Sequence, residues 1–409
     1  MMKIRSILVI LFAFYLISCN DKPVDLAVNL LPDTVTTKGI STFDTVLIPS
    51  IKVYRAKFPI FNLGTIFVGK ANGLSAVSLT NFAYLPDTLG YVTEDRIDSA
   101  KLTIYPRRYA LGDTNNPFLS FDIYRVTRAW TPDTTNYDSL MVSPANYFGE
   151  KIGSYQGSIK LQDTMEVIEF SLPKDMIADW LKTENVYDTT KKDSVPKRIT
   201  NWGIAYVPTG NTNVINTFAG SKIGGSVFSK IYIKYRNQQD STKVLNLEAG
   251  VDVSFLDAPK PAENEDIIIW NGLNYWTEIA FDLSMIPRFS GIHKAQLDLF
   301  LDKEKSFNGN NKLDSLIEAN YFQNPDGEST FQYIAASDST GRYRFTSLTS
   351  SFQLWNRYDG KGNIVFMPHS IFNQANELDK LVFHGINAKD STKRPQLRVI
   401  YSLNPSNFK

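Results

Sequence analysis

The chain has 409 residues, of which 43% are hydrophobic and 21% are charged, and its 43 basic side chains nearly balance 42 acidic ones. This length suits two or three domains, and the apolar fraction excludes both a disordered chain and a polytopic membrane protein. The charge balance excludes a strongly basic surface of the kind that binds nucleic acid. The single cysteine, Cys19, excludes an intramolecular disulfide framework and a cysteine-based zinc site.

Residues 1–18 have the pattern of a secretory signal peptide. Two basic residues precede an apolar run from Ile7 to Ile17, which at 11 residues is too short to span a bilayer. The run leads into Leu16-Ile17-Ser18-Cys19, which resembles a bacterial lipobox. That resemblance implies cleavage before Cys19 and attachment of a diacylglycerol to its thiol. We therefore expect a lipoprotein that the lipid at Cys19 holds to the membrane.

A polar segment follows the cysteine. Residues 19–39 contain Pro23, Pro32 and Gly39, and this composition is typical of a flexible tether. Acidic residues close behind the cysteine resemble the surface-export signal of bacteroidete lipoproteins. The expected location is therefore the outer membrane of a Gram-negative cell, with the folded part facing the exterior.

Beyond the tether, short alternating runs separated by turn residues predict β-strands. In Lys101–Tyr105 the residues Leu102 and Ile104 share one face, and Gln296–Leu301 alternates in the same way. Asn271-Gly272 separates two apolar runs and predicts a hairpin with a type I′ turn. Long helical periodicity is nearly absent, so the chain is predicted to be all-β.

An internal repeat divides the chain into two similar units. The run 98–105 parallels 293–300, and two short helical patterns place Trp180 and Trp355 at one repeat position. Each helix precedes three strands, around 201–207, Phe218 and 231–235 in the first copy and around 363–367, Phe383 and 397–401 in the second. We therefore expect two tandem jelly-roll-like β-sandwiches, each with one short helix, over residues 40–240 and 241–409. The two tryptophans are predicted to fill the sandwich cores.

The second copy resembles a known module. Its motifs are Phe281-Asp-Leu-Ser-Met-Ile-Pro287, Ala295-Gln-Leu-Asp-Leu, the Trp355 helix and Arg394-Pro-Gln-Leu-Arg-Val-Ile-Tyr401. Together they are similar to the DNRLRE-type β-sandwich, a jelly-roll domain of secreted and surface proteins, some of which bind carbohydrate. The resemblance implies a sandwich fold and glycan binding.

The first copy lacks the Phe-Asp-Leu-Ser motif and carries an insertion from Lys182 to Ile199. It resembles instead a family of bacteroidete lipoproteins catalogued as a domain of unknown function. The shared features are Leu30-Leu31-Pro32-Asp33, Ile97-Asp-Ser99 and Trp202-Gly-Ile-Ala-Tyr206. This resemblance implies a cell-surface location.

The sequence contains no recognisable catalytic or metal-binding motif. It has no Gly-x-Ser-x-Gly elbow, no phosphate-binding loop and no His-Glu-x-x-His, and His293, His369 and His384 have no metal-ligand spacing. Asp298 and Asp302 are predicted to share the solvated outer face of a strand. We therefore predict that the protein is not an enzyme and needs no metal or other cofactor.

Aromatic residues are the remaining candidates for a binding site. Trp270, Tyr275 and Trp276 cluster around the predicted hairpin turn, where exposed rings would stack on the apolar face of a sugar. Trp270 and Trp276 are predicted to form a cross-strand pair. The alternative is that these rings pack in the core, as aromatic residues in sandwiches commonly do.

Two functional hypotheses remain open at this point. One is a non-catalytic surface lipoprotein that captures extracellular polysaccharide. The other is a structural subunit that docks on an outer-membrane protein complex for nutrient uptake or barrel assembly. A polysaccharide-cleaving enzyme is a third possibility, which no acid–base pair in the sequence supports.

Overall fold

The computed structural model describes residues 37–55, 64–83, 92–131, 146–159, 167–182, 184–190, 192–197, 201–221, 227–261, 266–322, 329–369 and 376–403. The predicted signal peptide 1–18, the lipid-attachment residue Cys19 and most of the predicted tether 19–39 lie outside these residues.

Antiparallel β-strands make up most of the described part of the chain. The first fifteen strands are β1 (Thr37–Ser41), β2 (Ser50–Arg55), β3 (Thr65–Ala71), β4 (Leu74–Ala83), β5 (Ile97–Ile104), β6 (Pro106–Gly112), β7 (Leu119–Val126), β8 (Phe148–Gly157), β9 (Ile168–Ser171), β10 (Glu184–Asp188), β11 (Asp193–Lys197), β12 (Ile204–Pro208), β13 (Val214–Ala219), β14 (Lys230–Arg236) and β15 (Thr242–Asp257). The others are β16 (Ile267–Trp270), β17 (Tyr275–Asp282), β18 (Gly291–Phe300), β19 (Leu316–Tyr321), β20 (Phe331–Ala336), β21 (Arg342–Phe345), β22 (Lys361–Pro368), β23 (Lys380–Phe383) and β24 (Gln396–Ser402). The helices are α1 (Lys174–Leu181) and α2 (Thr349–Arg357), with 3₁₀ turns at Glu94–Arg96 and Ser391–Lys393.

Each α-helix buries one apolar face against a sandwich. Ile177, Trp180 and Leu181 of α1 are fully buried, and so is Phe352 of α2, while Trp355 is 3% exposed. The spacing of these residues places them on one side of each helix. The prediction that the two tryptophans fill the sandwich cores is confirmed by this burial.

The first sandwich contains two facing sheets that share one long strand. One sheet runs β9, β5, β14 and the first half of β15. The facing sheet is centred on β4, which pairs with the second half of β15 on one edge and with β3 and β12 on the other. Strands β13 and β6 extend this sheet beyond β3, and β7 and β8 extend it beyond β12. The predicted insertion from Lys182 to Ile199 contains the separate β10–β11 hairpin.

The second sandwich repeats this arrangement. One sheet runs β21, β18, β24 and β1. The facing sheet is centred on β17, which pairs with β2 on one edge and with β16 and β22 on the other. Strand β23 extends it beyond β16, and β19 and β20 extend it beyond β22. The chain therefore folds as two tandem jelly-roll-like β-sandwiches, each with one short helix, as the sequence predicted.

Strand pairing corrects the predicted domain boundaries. β15 follows the predicted boundary at 240/241, yet it pairs with β14 and β4 of the first sandwich. β1 and β2 precede the first sandwich in the sequence, yet they pair with β24 and β17 of the second. The predicted tether also ends too late, because residues 37–39 already belong to β1. The boundaries were predicted wrongly because the alternation of a strand shows which of its faces is buried but not which sheet the strand joins.

In each sandwich, one segment of the chain adds an edge strand to both facing sheets and so closes the sandwich. The two closing segments come from different parts of the chain. β15 joins the two sheets of the first sandwich as one continuous strand, and it follows β14 through the short turn 237–241. β1 and β2 take the two equivalent places in the second sandwich. Leu47, Ile48 and Ile51 from this N-terminal segment are buried in the second core.

A third apolar cluster joins the sandwiches to each other. It combines Phe67 and Tyr109 of the first sandwich with Trp270, Leu378 and Val382 of the second. Main-chain contacts accompany it, since the amide of Asn310 donates to the carbonyl of Ala110 (2.8 Å). The amide of Ala110 donates to Asn310 Oδ1 in return (2.9 Å). The two sandwiches thus share a buried junction.

The predicted hairpin around Asn271-Gly272 is present, but its turn is longer than predicted. Trp270 is opposite Tyr275, so residues 271–274 form a four-residue turn instead of a two-residue type I′ turn. Gly272 and Asn274 have positive φ angles of 72° and 56°. Leu273 is 1% exposed and lies in the junction cluster, so its burial accounts for the longer turn.

No helix in the described part of the chain has both the length and the apolar character needed to cross a membrane.

Candidate functional site

The aromatic residues predicted to bind a ligand fall on opposite faces of the β16–β17 sheet. Trp270 is 3% exposed, and its Nε1 donates to the carbonyl of Leu378 (3.2 Å). Phe307 packs against the edge of the indole, and Lys380 Nζ lies 4.6 Å from the ring centroid. The interpretation of Trp270 as a ligand platform is therefore wrong, because the junction between the sandwiches covers its ring.

Tyr275 belongs to the same junction. Its ring centroid lies 6.0 Å from that of Trp270, and its side chain packs against the third apolar cluster. The predicted cross-strand pair of Trp270 with Trp276 is wrong, because Trp270 is opposite Tyr275. Tyr275 is half-buried and supports the indole of Trp270. The ring of Trp270 is therefore closed to a sugar, and the ring of Tyr275 packs at the edge of the same junction.

Trp276 points to the outer face of the second sandwich, because successive side chains of a strand alternate between faces. It is opposite Tyr54 of β2, and the two rings meet edge to face with their centroids 6.5 Å apart. Both side chains are half-buried. One of the three predicted aromatic residues therefore remains a candidate, with a partner that the sequence did not indicate.

A second row of side chains borders this aromatic pair. Lys52 lies two residues before Tyr54, and Glu278 lies two residues after Trp276. These two residues are opposite each other in the β2–β17 pair, so an ammonium and a carboxylate lie beside the rings. Lys52 is exposed and Glu278 half-buried. Burial and the negative charge of Glu278 raise the pKa of Tyr54 to about 12, so its hydroxyl stays protonated at neutral pH. This edge of the outer face thus offers two aromatic rings, a phenol donor, an ammonium and a carboxylate.

Further across the same face, the polar side chains are buried. Glu318 and Asn320 on β19 are 7% and 2% exposed. The amide Nδ2 of Asn320 donates to Glu318 Oε1 (2.5 Å), and His369 Nδ1 lies 3.4 Å from Glu318 Oε2. The part of this face that a ligand can reach is therefore the edge formed by Lys52, Tyr54, Trp276 and Glu278.

Carboxylates elsewhere have structural partners. Asp298 is 2% exposed, and both of its oxygens accept from the Arg344 guanidinium at 2.7 Å, which corrects the prediction of a solvated face. Asp302 Oδ2 lies 3.7 Å from His384 Nδ1 and 3.7 Å from Lys305 Nζ. Among the described residues, no group of three or more His, Cys, Asp or Glu side chains is arranged to hold a metal ion.

The junction between the sandwiches holds a second cluster of buried polar groups. Tyr109 donates its hydroxyl to Asp379 Oδ1 (2.8 Å) and accepts from the amide of Leu378 (2.8 Å). Burial raises the pKa of Asp379 to about 6, and burial with the nearby charge of Asp379 raises the pKa of Glu377 to about 7. Because Tyr109 comes from the first sandwich and the carboxyls from the second, this cluster connects the two units.

Sequence reasoning missed Tyr54, Lys52 and Glu278 as members of the site. Tyr54 and Lys52 lie more than 200 positions before Trp276, in a strand that the repeat assigns to the other copy. The alternation in Ser50–Arg55 indicates a strand, but nothing in it identifies β17 as the partner. No signal in the single sequence would have joined these residues.

No family model matches the chain, and no curated protein matches it. Among solved structures, one of the Macrobrachium rosenbergii nodavirus aligns over 92% of this chain and 92% of its own, at 11% identity and a TM-score of 0.15. The infectious bursal disease virus VP2 subviral particle aligns over 90% of this chain and 77% of its own, at 11% identity and a TM-score of 0.12. At TM-scores this low, neither virus protein indicates the fold or the function of this chain.

Proposed function

We propose that the chain is a non-catalytic, lipid-anchored protein of the outer-membrane surface that captures extracellular polysaccharide. The observation that carries the binding proposal is the Tyr54–Trp276 pair on the outer face of the second sandwich. An aromatic ring offers an apolar face to the C–H groups of a pyranose, and Lys52 and Glu278 beside it supply a hydrogen-bond donor and acceptor for sugar hydroxyls.

The proposed location depends on the N-terminal sequence pattern. The basic residues, the short apolar run and the lipobox-like Leu16-Ile17-Ser18-Cys19 occur in the order that lipid attachment requires. A Cys19→Ser variant expressed in the native cell should lose lipid labelling and membrane retention. If this variant stays in the membrane fraction, the proposed anchor is wrong.

The binding proposal is tested by affinity electrophoresis and glycan arrays with the 20–409 fragment. Trp276→Ala and Tyr54→Ala should each weaken retention by about 1–2 kcal/mol, or roughly 5- to 30-fold, because each removes one ring face from the site. Tyr187→Ala is the matched control, since Tyr187 is an exposed tyrosine on the separate β10–β11 hairpin. Its retention should equal that of the unchanged chain.

Two results would overturn glycan capture. One is an absence of retention on every polysaccharide tested. The other is equal weakening by Tyr187→Ala and Trp276→Ala, which would indicate non-specific adhesion. Recovery of stoichiometric protein partners from detergent-solubilised membranes, with no glycan binding, would favour a structural subunit of an outer-membrane complex instead.

A further inference from the structure

Five large apolar side chains are exposed on adjoining loops at one side of the second sandwich. They are between 56% and 73% exposed, and they are Phe43, Val46, Met285, Phe289 and Tyr358. Contiguous exposed apolar patches on soluble domains commonly mark a binding surface, whereas single exposed apolar residues need no explanation. We call these five residues the apolar patch.

The loops that carry the apolar patch contact one another. Thr45 Oγ1 lies 3.0 Å from Met285 Sδ, which joins the crossover from β1 to β2 to the loop before β18. Arg288 Nη2 donates to the carbonyl of Arg357 (3.0 Å), which joins that loop to the end of α2 beside Tyr358. Phe43 and Val46 also line an open groove of about 520 Å³ along the crossover. The patch is therefore one surface formed by three segments.

The chain enters the fold at the end of this surface that carries Phe289, and β1 leads from there to Ser41, opposite Arg398, after which Phe43 and Val46 follow. Thr37 is opposite Ser402 at the start of β1, and Gly291 is opposite Ser402 on the other side of β24. The loop with Met285 and Phe289 leads directly into Gly291. The described chain therefore begins at the sheet end where this part of the apolar patch lies.

The segment between the proposed anchor and the fold is long enough for the patch to reach the membrane. Residues 20–36 separate Cys19 from Thr37. At about 3.3–3.6 Å per residue, this segment spans at most roughly 60 Å. Lipid at Cys19 thus holds the entry point of the second sandwich within roughly 60 Å of the bilayer, a length that allows the apolar patch to contact the lipid surface.

Charges around the patch cancel. Arg288, Arg357 and Lys361 lie on its loops, and so do Asp44, Asp282 and Asp359. Lys361 Nζ lies 3.8 Å from Asp282 Oδ2, and the Arg288 guanidinium lies over the ring of Phe289 at 5.4 Å. A surface with no net charge has little electrostatic attraction for anionic headgroups, so its contact with lipid would be apolar and nearly independent of salt.

We infer that the apolar patch rests on the lipid surface to which Cys19 is anchored, so that the second sandwich lies next to the bilayer and the first lies further out. This inference depends on the lipid anchor of the proposed function. The occupant is the bilayer interface itself, where aromatic and aliphatic side chains partition favourably while their charged neighbours stay hydrated.

The test uses the full mature chain, lipidated and reconstituted into phosphatidylethanolamine–phosphatidylglycerol vesicles. Cys19 is the only native cysteine, so once it is acylated an environment-sensitive fluorophore attaches selectively to Phe289→Cys. Val244→Cys is the matched control, because Val244 is 66% exposed on the first sandwich. The label at 289 should shift to shorter wavelength and lose fluorescence to a bilayer-embedded quencher, and the label at 244 should do neither.

The outcomes separate the inference from the anchor. If the chain does not float with the vesicles, the proposed anchor is wrong. If it floats but both labels stay aqueous, the anchor stands and the lipid contact of the patch is overturned. A label at 289 that is shielded in native membranes but not in pure lipid indicates a protein partner and also overturns the inference. The shift at 289 should persist in about 1 M salt, where the screening length is about 3 Å.

Discussion

The two sandwiches share a topology but differ in how each is closed. In the first, β15 follows β14 through the turn 237–241, so the closing strand is the next element in the chain. In the second, the same place is taken by β1 and β2, which lie more than 200 residues before the sandwich that they complete. The same set of pairings is thus reached once by a local hairpin and once by an N-terminal segment that pairs with β24 and β17. Closure of the second sandwich must therefore cost more chain entropy and occur later in folding.

Removal of residues 37–55 should have the largest effect, because it should unfold the second sandwich and leave the first intact. The deletion takes Leu47, Ile48 and Ile51 out of the second core, a loss of about 5–9 kcal/mol of apolar burial, which rivals the stability of a whole domain. We expect rapid hydrogen exchange throughout β17, β18 and β24 and unchanged protection in β4, β5 and β14. Adding a 37–55 peptide in trans should restore protection to the second sandwich. Unchanged exchange in β17 would contradict the closing role of the N-terminal segment.

The helices should respond alike in both sandwiches, because they occupy the same place in the repeat. Trp180→Ala and Trp355→Ala each empty a buried aromatic site, and we expect each to lower the free energy of unfolding by about 3–5 kcal/mol. Denaturant titration followed by region-resolved hydrogen exchange measures the loss in each unit. A loss below about 1 kcal/mol for either variant would mean that its tryptophan does not support the core.

Charged residues at matching positions of β9 and β21 should respond differently to loss of their charge. Glu169 lies opposite Thr103 and Arg344 lies opposite Asp298, and these are equivalent places in β9 and β21. Arg344→Gln leaves the buried carboxylate of Asp298 unpaired, so we expect a loss of about 3 kcal/mol in unfolding free energy.

The exposed counterpart supplies the control. Glu169→Gln breaks only the half-exposed contact with Lys101 (3.0 Å), for which about 0.5 kcal/mol is expected. Denaturant unfolding of both variants in the same buffer measures the difference between their losses of unfolding free energy. Equal losses would show that burial of Asp298 does not govern the effect.

The junction between the sandwiches should weaken as pH rises. The pKa values of Asp379 and Glu377 are raised to about 6 and about 7 in the fold, above their ordinary values of 3.8 and 4.5. Native protein therefore binds more protons than unfolded protein between about pH 4 and pH 7, and stability falls across that range. One pKa unit corresponds to about 1.4 kcal/mol, so the two carboxyls titrating independently would give a fall of roughly 6 kcal/mol. The charge of Asp379 contributes to the raised pKa of Glu377, so the two contributions overlap and the expected fall lies below that sum.

Denaturant unfolding at intervals from pH 4 to pH 8 measures this slope. The double variant Asp379→Asn with Glu377→Gln should flatten the slope, because neither amide titrates. Tyr109, which contacts Asp379, stays protonated throughout because burial raises its pKa well above the ordinary value. A slope of the opposite sign would show that the carboxyls are stabilised as anions at the junction.

The sequence predicted most of the fold because its strand and helix patterns depend on local residues. Alternation identified the buried faces of β5 and β18, and the repeated order of elements predicted two similar sandwiches. The closing strands were misassigned because the pattern of β1 and β2 fits either sandwich equally well. Strand partners depend on long-range contacts, which no local spacing encodes.

The candidate site was harder to predict for a related reason. Trp270 and Trp276 both lie beside the predicted hairpin turn in the sequence. The junction of the two sandwiches nevertheless buries Trp270 and leaves Trp276 half-exposed. That junction contains Phe307 and Leu378, residues that no periodicity connects to the hairpin. The residues beside Trp276 were missed because β2 arrives from the other end of the chain.

The pairing of Thr37 with Ser402 has one more consequence. The first and last described strands are neighbours in a sheet, so the two units follow each other as in a ring that is opened between β24 and β1. Consider a circular permutant in which residue 403 is linked to residue 37 and the new chain start lies within 237–241. In this permutant β1 would follow β24 directly, just as β15 follows β14 in the natural chain. The first sandwich would then receive its closing strand from the new chain start, and the roles of the two units would be exchanged.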